Sequence, residues 1–175
     1  INEQYQQYRT VPLRASDESV TNILVVVDNI TKRKQAEMDL KEKEESLNTA
    51  QKIAKIGSWE MDTTTKKLSW SKEMFDILEV STDQEPTFEL YYSRVHPDDL
   101  AFVQESGKNV LSDNEAIRAE YRLLTPSKKI KYVATEGQQH LDNKNNLIKL
   151  NGIVQDITVS KRAELELITA KEKAE

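Results

Sequence analysis

The chain has no cysteine and, in 175 residues, only four glycines, four prolines, two histidines and two tryptophans. Without cysteine there is no disulfide, no thiolate nucleophile and no Cys-based zinc site, which fits a reducing compartment. The glycines, at 57, 107, 137 and 152, are too scattered to form a phosphate-cradling loop. Long apolar runs are missing as well. The longest, Ile23 to Val27, covers five residues, far below the roughly 20 of a membrane span. The amino terminus lacks a basic-then-apolar leader pattern, so this stretch is expected to be soluble and cytoplasmic, whatever anchor a longer parent carries elsewhere. A dominant charge is also lacking. Lys and Arg number 25 against 30 Asp and Glu, a net charge of −5, and the signs are mixed, which argues against nucleic acid or an anionic membrane as a partner.

What is present is a partial repeat. "VVVDNITKRKQAE" at 25–37 and "GIVQDITVSKRAE" at 152–164 align at an offset of 127. They share Val27 with Val154, Ile30 with Ile157, Thr31 with Thr158, Lys34 with Lys161, Ala36 with Ala163 and Glu37 with Glu164. A spacing that long is a domain period, not a solenoid period. The chain length suits one good core with extensions, so only part of a second domain is expected.

Residues 4–14 and 20–28 carry β-branched and aromatic residues around the turn-forming "ASDES" and predict a β-hairpin. A lone hairpin is marginal in water, and the apolar residues of 23–27 are expected to be covered by another element or a neighbouring chain. From 31 the pattern changes to Ala36, Leu40, Lys43, Leu47, Ala50 and Ala54 in a charged background, a heptad-like helix of about 25 residues and roughly 38 Å. Beyond Gly57, "GSWEMD" and "KLSWS" read as strands around "TTTKK". Ser71 caps "KEMFDIL" as a helix, Thr87 opens a short helix in "TFELYYSRV", and Pro97 with Asp98 and Asp99 opens a longer one. Strands "AIRAEYRLL", "KIKYVATEGQQHL" and "LIKLNGIVQDI" follow, joined by "TPSK" and "DNKNN". Strand-rich ends with helices between them predict an α+β fold, a five-stranded antiparallel sheet with helices on one face.

With that order in place the stretch 57–158 resembles a PAS domain. The residues that carry the resemblance are Trp59 and Glu60, Trp70 and Ser71, His96 to Asp99, Tyr121 and Arg122, and Gly152 through Thr158. Two positions depart from the family pattern: Asn29 stands where Asp is usual in the first copy, and "TPSK" lacks the usual Asp-Gly. On this reading residues 1–30 are the C-terminal hairpin of a preceding PAS domain, 31–56 a signalling helix, 57–158 the PAS domain and 159–175 a second signalling helix. The resemblance implies a non-catalytic sensory and relay module of a bacterial signalling protein. The parent it implies first is a sensor histidine kinase, with a cyclic-di-nucleotide enzyme, a transcription regulator or a ligand-free dimerisation spacer as alternatives. A flavin-adduct cysteine is absent, and His96 precedes the helix on which haem-binding members place their ligand. The resemblance therefore implies no cofactor of either kind and leaves an unidentified small molecule open.

Asn29, Thr31, Asp156 and Thr158 sit at strand-to-helix corners, where short polar side chains accept hydrogen bonds from free helix N–H groups. They are candidate relay residues as well as ordinary caps. Alternation in "AIRAEYRLL" places Ile117, Ala119, Tyr121 and Leu123 on one face. With Trp59, Ile77, Leu78 and Phe88 they are candidate walls of a ligand cavity, though such a set is more often plain core. His96 with Asp98 and Asp99 is read as a helix start instead of a metal or acid–base site, and His140 as a surface residue. No metal or catalytic residue is expected. Ala36, Leu40 and Leu47 in one helix, and Ala163, Leu167, Ala170 and Ala174 in the other, form seams at 4-3 type spacing that predict a weak parallel homodimer. The expected partners are therefore a second copy and the adjacent domains of the same chain.

Overall fold

The computed structural model describes residues 4–14, 16, 19–112 and 117–173, and the side chains of these apart from 21, 109–112 and 117. The chain divides into two compact units, Ile1–Leu47 and Asn48–Glu175. In the first, β1 (Gln6–Arg14) and β2 (Val20–Asn29) form an antiparallel ribbon that leads into α1 (Thr31–Ala54). Tyr8, Ile23, Val25 and Val27 stay between 49 and 65% exposed. Among the described residues of this unit nothing covers these side chains.

The second unit has β3 (Ile56–Asp62), β4 (Leu68–Trp70), α2 (Lys72–Leu78), α3 (Phe88–Tyr92), α4 (Pro97–Ser112), β5 (Ile117–Leu124), β6 (Ile130–Leu141), β7 (Leu147–Asp156) and α5 (Thr158–Glu172). Its five strands make one antiparallel sheet in the order β4-β3-β7-β6-β5, as the α+β expectation required. The caps fall where the sequence places them. Ser71 Oγ accepts the Met74 N–H at 3.3 Å and Thr87 Oγ1 accepts the Leu90 N–H at 3.0 Å. In the turn after β5, Lys128 adopts the left-handed conformation at φ 60°, taking the place of the glycine that "TPSK" lacks.

Alternating residues of the sheet meet the helices in one core of Met74, Ile77 and Leu78 from α2, Val95, Val103 from α4, Tyr121 and Leu123 from β5, Val133 and Val154. A smaller cluster of Met61, Leu68 and Leu150 fills the β3–β4 end. The Trp59 indole lies across the sheet over the opposed pair Gly137 and Gly152, where an added Cβ would stand 3.1 and 2.7 Å from its Cζ2. Glycine is needed there for close approach.

The two copies of the repeat have the same pairing. In β1–β2, Gln6 faces Asn29, Thr10 faces Val25 and Leu13 faces Asn22, with a register shift before Arg14–Val20. In β6–β7, Val133 faces Asp156, Gly137 faces Gly152 and His140 faces Lys149, with a shift before Leu141–Leu147. Each pair is displaced from its counterpart by the sequence offset, irregularity included.

Candidate functional site

Two features of the second unit are candidate sites: a cavity between sheet and helices, and the corner where β7 becomes α5. The cavity, of about 680 Å³, is walled by Trp59, Met61, Leu68, Trp70, Phe88, Tyr91, Tyr92, Val103, Ala119, Tyr121 and Leu150 among others. Of the expected walls, Trp59, Phe88, Ala119 and Tyr121 line it. Ile77, Leu78 and Leu123 do not. They are 2, 0 and 0% exposed, closed into the core that α2 and β5 share; alternation sets the face of β5 on which Leu123 lies but not which end of it stays open. The side chain of Ile117 lies outside the described residues. Tyr91, Tyr92, Met61, Leu68, Thr135 and Leu150 are walls that sequence reasoning did not pick out. Sequence offered a signal for two of these, Met61 and Leu68, apolar residues that flank the polar turn between β3 and β4.

Inside the cavity the Tyr91 and Tyr121 hydroxyls hydrogen-bond to each other, and Thr135 Oγ1 donates to the Ile153 carbonyl at 3.0 Å. Burial pushes the Tyr121 phenol up to about 12, with hydrogen bonds to Tyr91 and Thr135 acting the other way. Burial raises Tyr91 too, the neighbouring Tyr121 adding to it. Both phenols therefore stay neutral at any ordinary pH. The pair ties α3 to β5.

At the corner, Asp156 Oδ1 accepts the Thr158 N–H at 2.9 Å. Thr158 Oγ1 accepts the N–H of Tyr132 in β6 at 3.0 Å, and the Ile157 N–H donates to the Tyr132 carbonyl at 2.9 Å. The first turn of α5 is thus fastened to two strands, β7 by the chain and β6 by hydrogen bonds. The first copy repeats this: Asn29 Oδ1 accepts the Thr31 N–H at 3.0 Å, Thr31 Oγ1 accepts the Tyr5 N–H at 2.9 Å, and the Ile30 N–H donates to the Tyr5 carbonyl at 3.0 Å. Asn29 does the work of the aspartate it replaces, since the Asn side-chain oxygen accepts the same bond.

The His-Pro-Asp-Asp and Tyr-Arg stretches meet in one structure. Arg122 grips Asp99 with Nε to Oδ2 at 2.9 Å and Nη2 to Oδ1 at 2.6 Å, and its own N–H reaches Oδ2 at 2.8 Å. The Arg122 side chain holds the Asp99 carboxyl below the usual carboxylate range. His96 accepts the Asp98 N–H through Nδ1 at 3.3 Å, and His140 pairs with Asn151 at 3.0 Å on the exposed face. Among the described residues no group of three or more His, Asp or Glu side chains is arranged to hold a metal ion, and no helix is long and apolar enough to cross a membrane.

A family model for the PAS fold matches residues 67–154, half of the chain. The chain belongs to the PAS family. Sensor protein FixL of Bradyrhizobium diazoefficiens is 27% identical over 114 residues, covering 65% of this chain and 23% of that protein. A probable diguanylate cyclase, DgcE, of Escherichia coli K12 is 23% identical over 161 residues, covering 92% of this chain and 14% of that one. Among solved structures, a sensory box histidine kinase/response regulator from Burkholderia thailandensis E264 superposes with a TM-score of 0.59 at 25% identity, over 73% of this chain and 96% of that one. The chain therefore spans less than a quarter of either curated relative. It is a PAS sensory domain, homologous to parts of a sensor protein, a histidine kinase and a probable diguanylate cyclase.

Proposed function

We propose that the PAS domain relays a change in its cavity or sheet to α5, and through it to an output domain of a multidomain signalling protein. The observation that carries this is the corner. Thr158 joins the first turn of α5 to Tyr132 of β6 while the backbone joins it to β7, so a shift between those central strands has a short path into the helix direction. Asn29 and Thr31 are proposed to do the same for α1 at the end of an upstream PAS domain, of which the β1–β2 ribbon is the C-terminal hairpin. The identical register of the two ribbons supports that division. No bound cofactor is required by this reading.

The exposed faces of α1 and α5 are proposed as the dimer seam. Leu40, Leu47 and Leu167 are each about 60% exposed, and Ala36, Ala163 and Ala170 are exposed beside them; Ala174 lies outside the described residues. A sensor histidine kinase is the first choice of parent, supported by the Burkholderia sensory box histidine kinase structure. The coverage of the diguanylate cyclase relative, which takes in nearly the whole chain, favours a cyclic-di-nucleotide enzyme as the second. The test is the output activity of the full-length protein with Asp156→Ala and Thr158→Val. Output locked in one state, with the domain still folded, is expected. Unchanged regulation contradicts the relay.

A further inference from the structure

The chain has eleven aromatic residues by type, six Tyr, three Phe and two Trp, and more than half of them wall one cavity: Trp59, Trp70, Phe88, Tyr91, Tyr92 and Tyr121. Such a lining offers flat, polarisable surfaces that hold an aromatic ring better than an alkyl chain. The polar groups deep inside are already occupied, since Tyr91 and Tyr121 bond each other and Thr135 bonds the Ile153 carbonyl. A ligand that brought a charge to that depth would meet no free partner for it. The interior therefore suits an apolar body.

The mouth differs in charge. Its charged wall residues, among those described, are Lys66 from the β3–β4 turn and Lys108 from α4, both exposed, with no carboxylate among the walls. Lys108 has a loose contact with Glu105 at 3.8 Å, which an incoming anion can displace at little cost. The Tyr92 hydroxyl, close to Gly107 on the same side, adds an aromatic hydroxyl to the wall. In a protein of net charge −5, the charged side chains that wall this cavity are thus both cations.

We infer that this cavity binds an aromatic carboxylate, its ring between Trp59, Trp70 and the tyrosines and its anionic head at Lys66 and Lys108. This rests on the reading of the cavity as the sensing site, and adds the chemical class of what is sensed. Both tryptophans of the chain line the cavity, so their fluorescence reports occupancy. Titration of the full chain with naphthoate is expected to change that fluorescence saturably, with naphthamide, the neutral counterpart, and decanoate, the aliphatic acid, binding more weakly. Lys66→Gln with Lys108→Gln, both at exposed positions, is expected to weaken naphthoate about tenfold and leave naphthamide unchanged. Naphthamide binding as tightly as naphthoate, indifferent to the lysines, overturns the charge assignment while the cavity still stands as a site. Decanoate binding more tightly than naphthoate overturns the aromatic assignment in the same way. No saturable response to any of the three overturns the inference altogether, and the relay can still be read from the cavity-filling variant described below.

Discussion

Thr158 sits against the backbone of Tyr132: its Oγ1 accepts the Tyr132 N–H at 3.0 Å and lies 3.5 Å from the Tyr132 carbonyl, while its own proton goes to Asp156 Oδ1. Thr31 stands in the same relation to Tyr5 in the first copy, at 2.9 and 3.4 Å. Thr158→Val keeps the shape and removes the hydroxyl. The Tyr132 N–H is then left without its acceptor, and a loss of about 1–2 kcal/mol is expected. Chemical denaturation of the wild type and the variant measures it, and an unchanged midpoint would show that water replaces the bond fully.

The tyrosine pair gives a cycle. Tyr121→Phe leaves the buried Tyr91 hydroxyl without its partner and should cost about 1–2 kcal/mol, whereas Tyr91→Phe leaves Tyr121 its bond to Thr135 and should cost less. The double variant removes both groups and should cost less than the two single losses together. Additive losses would mean that the two hydroxyls do not depend on each other. Because burial keeps both phenols neutral, stability between pH 6 and 9 is expected to be indifferent to this pair, at about the flat level of a non-titrating group.

The Arg122–Asp99 clamp has a pH signature. Asp99 has a lowered folded-state pKa because Arg122 donates to its charged form. Its contribution is therefore present above the ordinary carboxylate value and is lost as pH falls through the lower folded value. Asp99→Asn is expected to destabilise by about 1–3 kcal/mol at neutral pH. The gap from wild type should narrow on acidification below about pH 4. Unfolding curves at neutral and acid pH measure this, and a gap that widened on acidification would contradict the clamp.

How much of this was legible beforehand depended on sequence distance. Element order, the Ser71 and Thr87 caps and the two corners rest on residues within a few positions of each other, where turn and capping chemistry is local. The clamp and the tyrosine pair join residues 23 and 30 positions apart, and no local rule aims Arg122 at Asp99. Tyr91 was invisible for a further reason: α3 has only five residues, too few for a period to mark its inward face. Ile77 and Leu123 were placed on the right layer but the wrong end of it, since the open space lies toward Met61 and Leu150.

Gly57 marks where α2 presses on the sheet. A Cβ there would stand 2.7 Å from the Met74 Cα, a backbone atom that cannot swing aside. Gly57→Ala is expected to cost about 1–3 kcal/mol through overpacking, read by thermal unfolding. A neutral result would mean that α2 can move off β3 freely.

Pairing of the helices through their exposed seams should be concentration dependent and weak, since the seam is poor in large residues and interrupted by Lys43. Light scattering at increasing concentration is expected to show dimers that Leu40→Glu with Leu167→Glu abolishes. A monomer at every concentration, with or without the substitutions, would leave those seams without a role.

The relay itself is tested most directly by hydrogen exchange at the start of α5 when the cavity is filled from within. Ala119 lines the cavity from β5, and Ala119→Leu occupies part of it without any need to know the natural ligand. Altered exchange is expected both around the cavity and at the amides of Lys161 and its neighbours in the first turn of α5. With Thr158→Val added, the change around the cavity should persist and the change in α5 should disappear. Exchange that changes around the cavity alone, with α5 unaltered in the presence of Thr158, would contradict the relay.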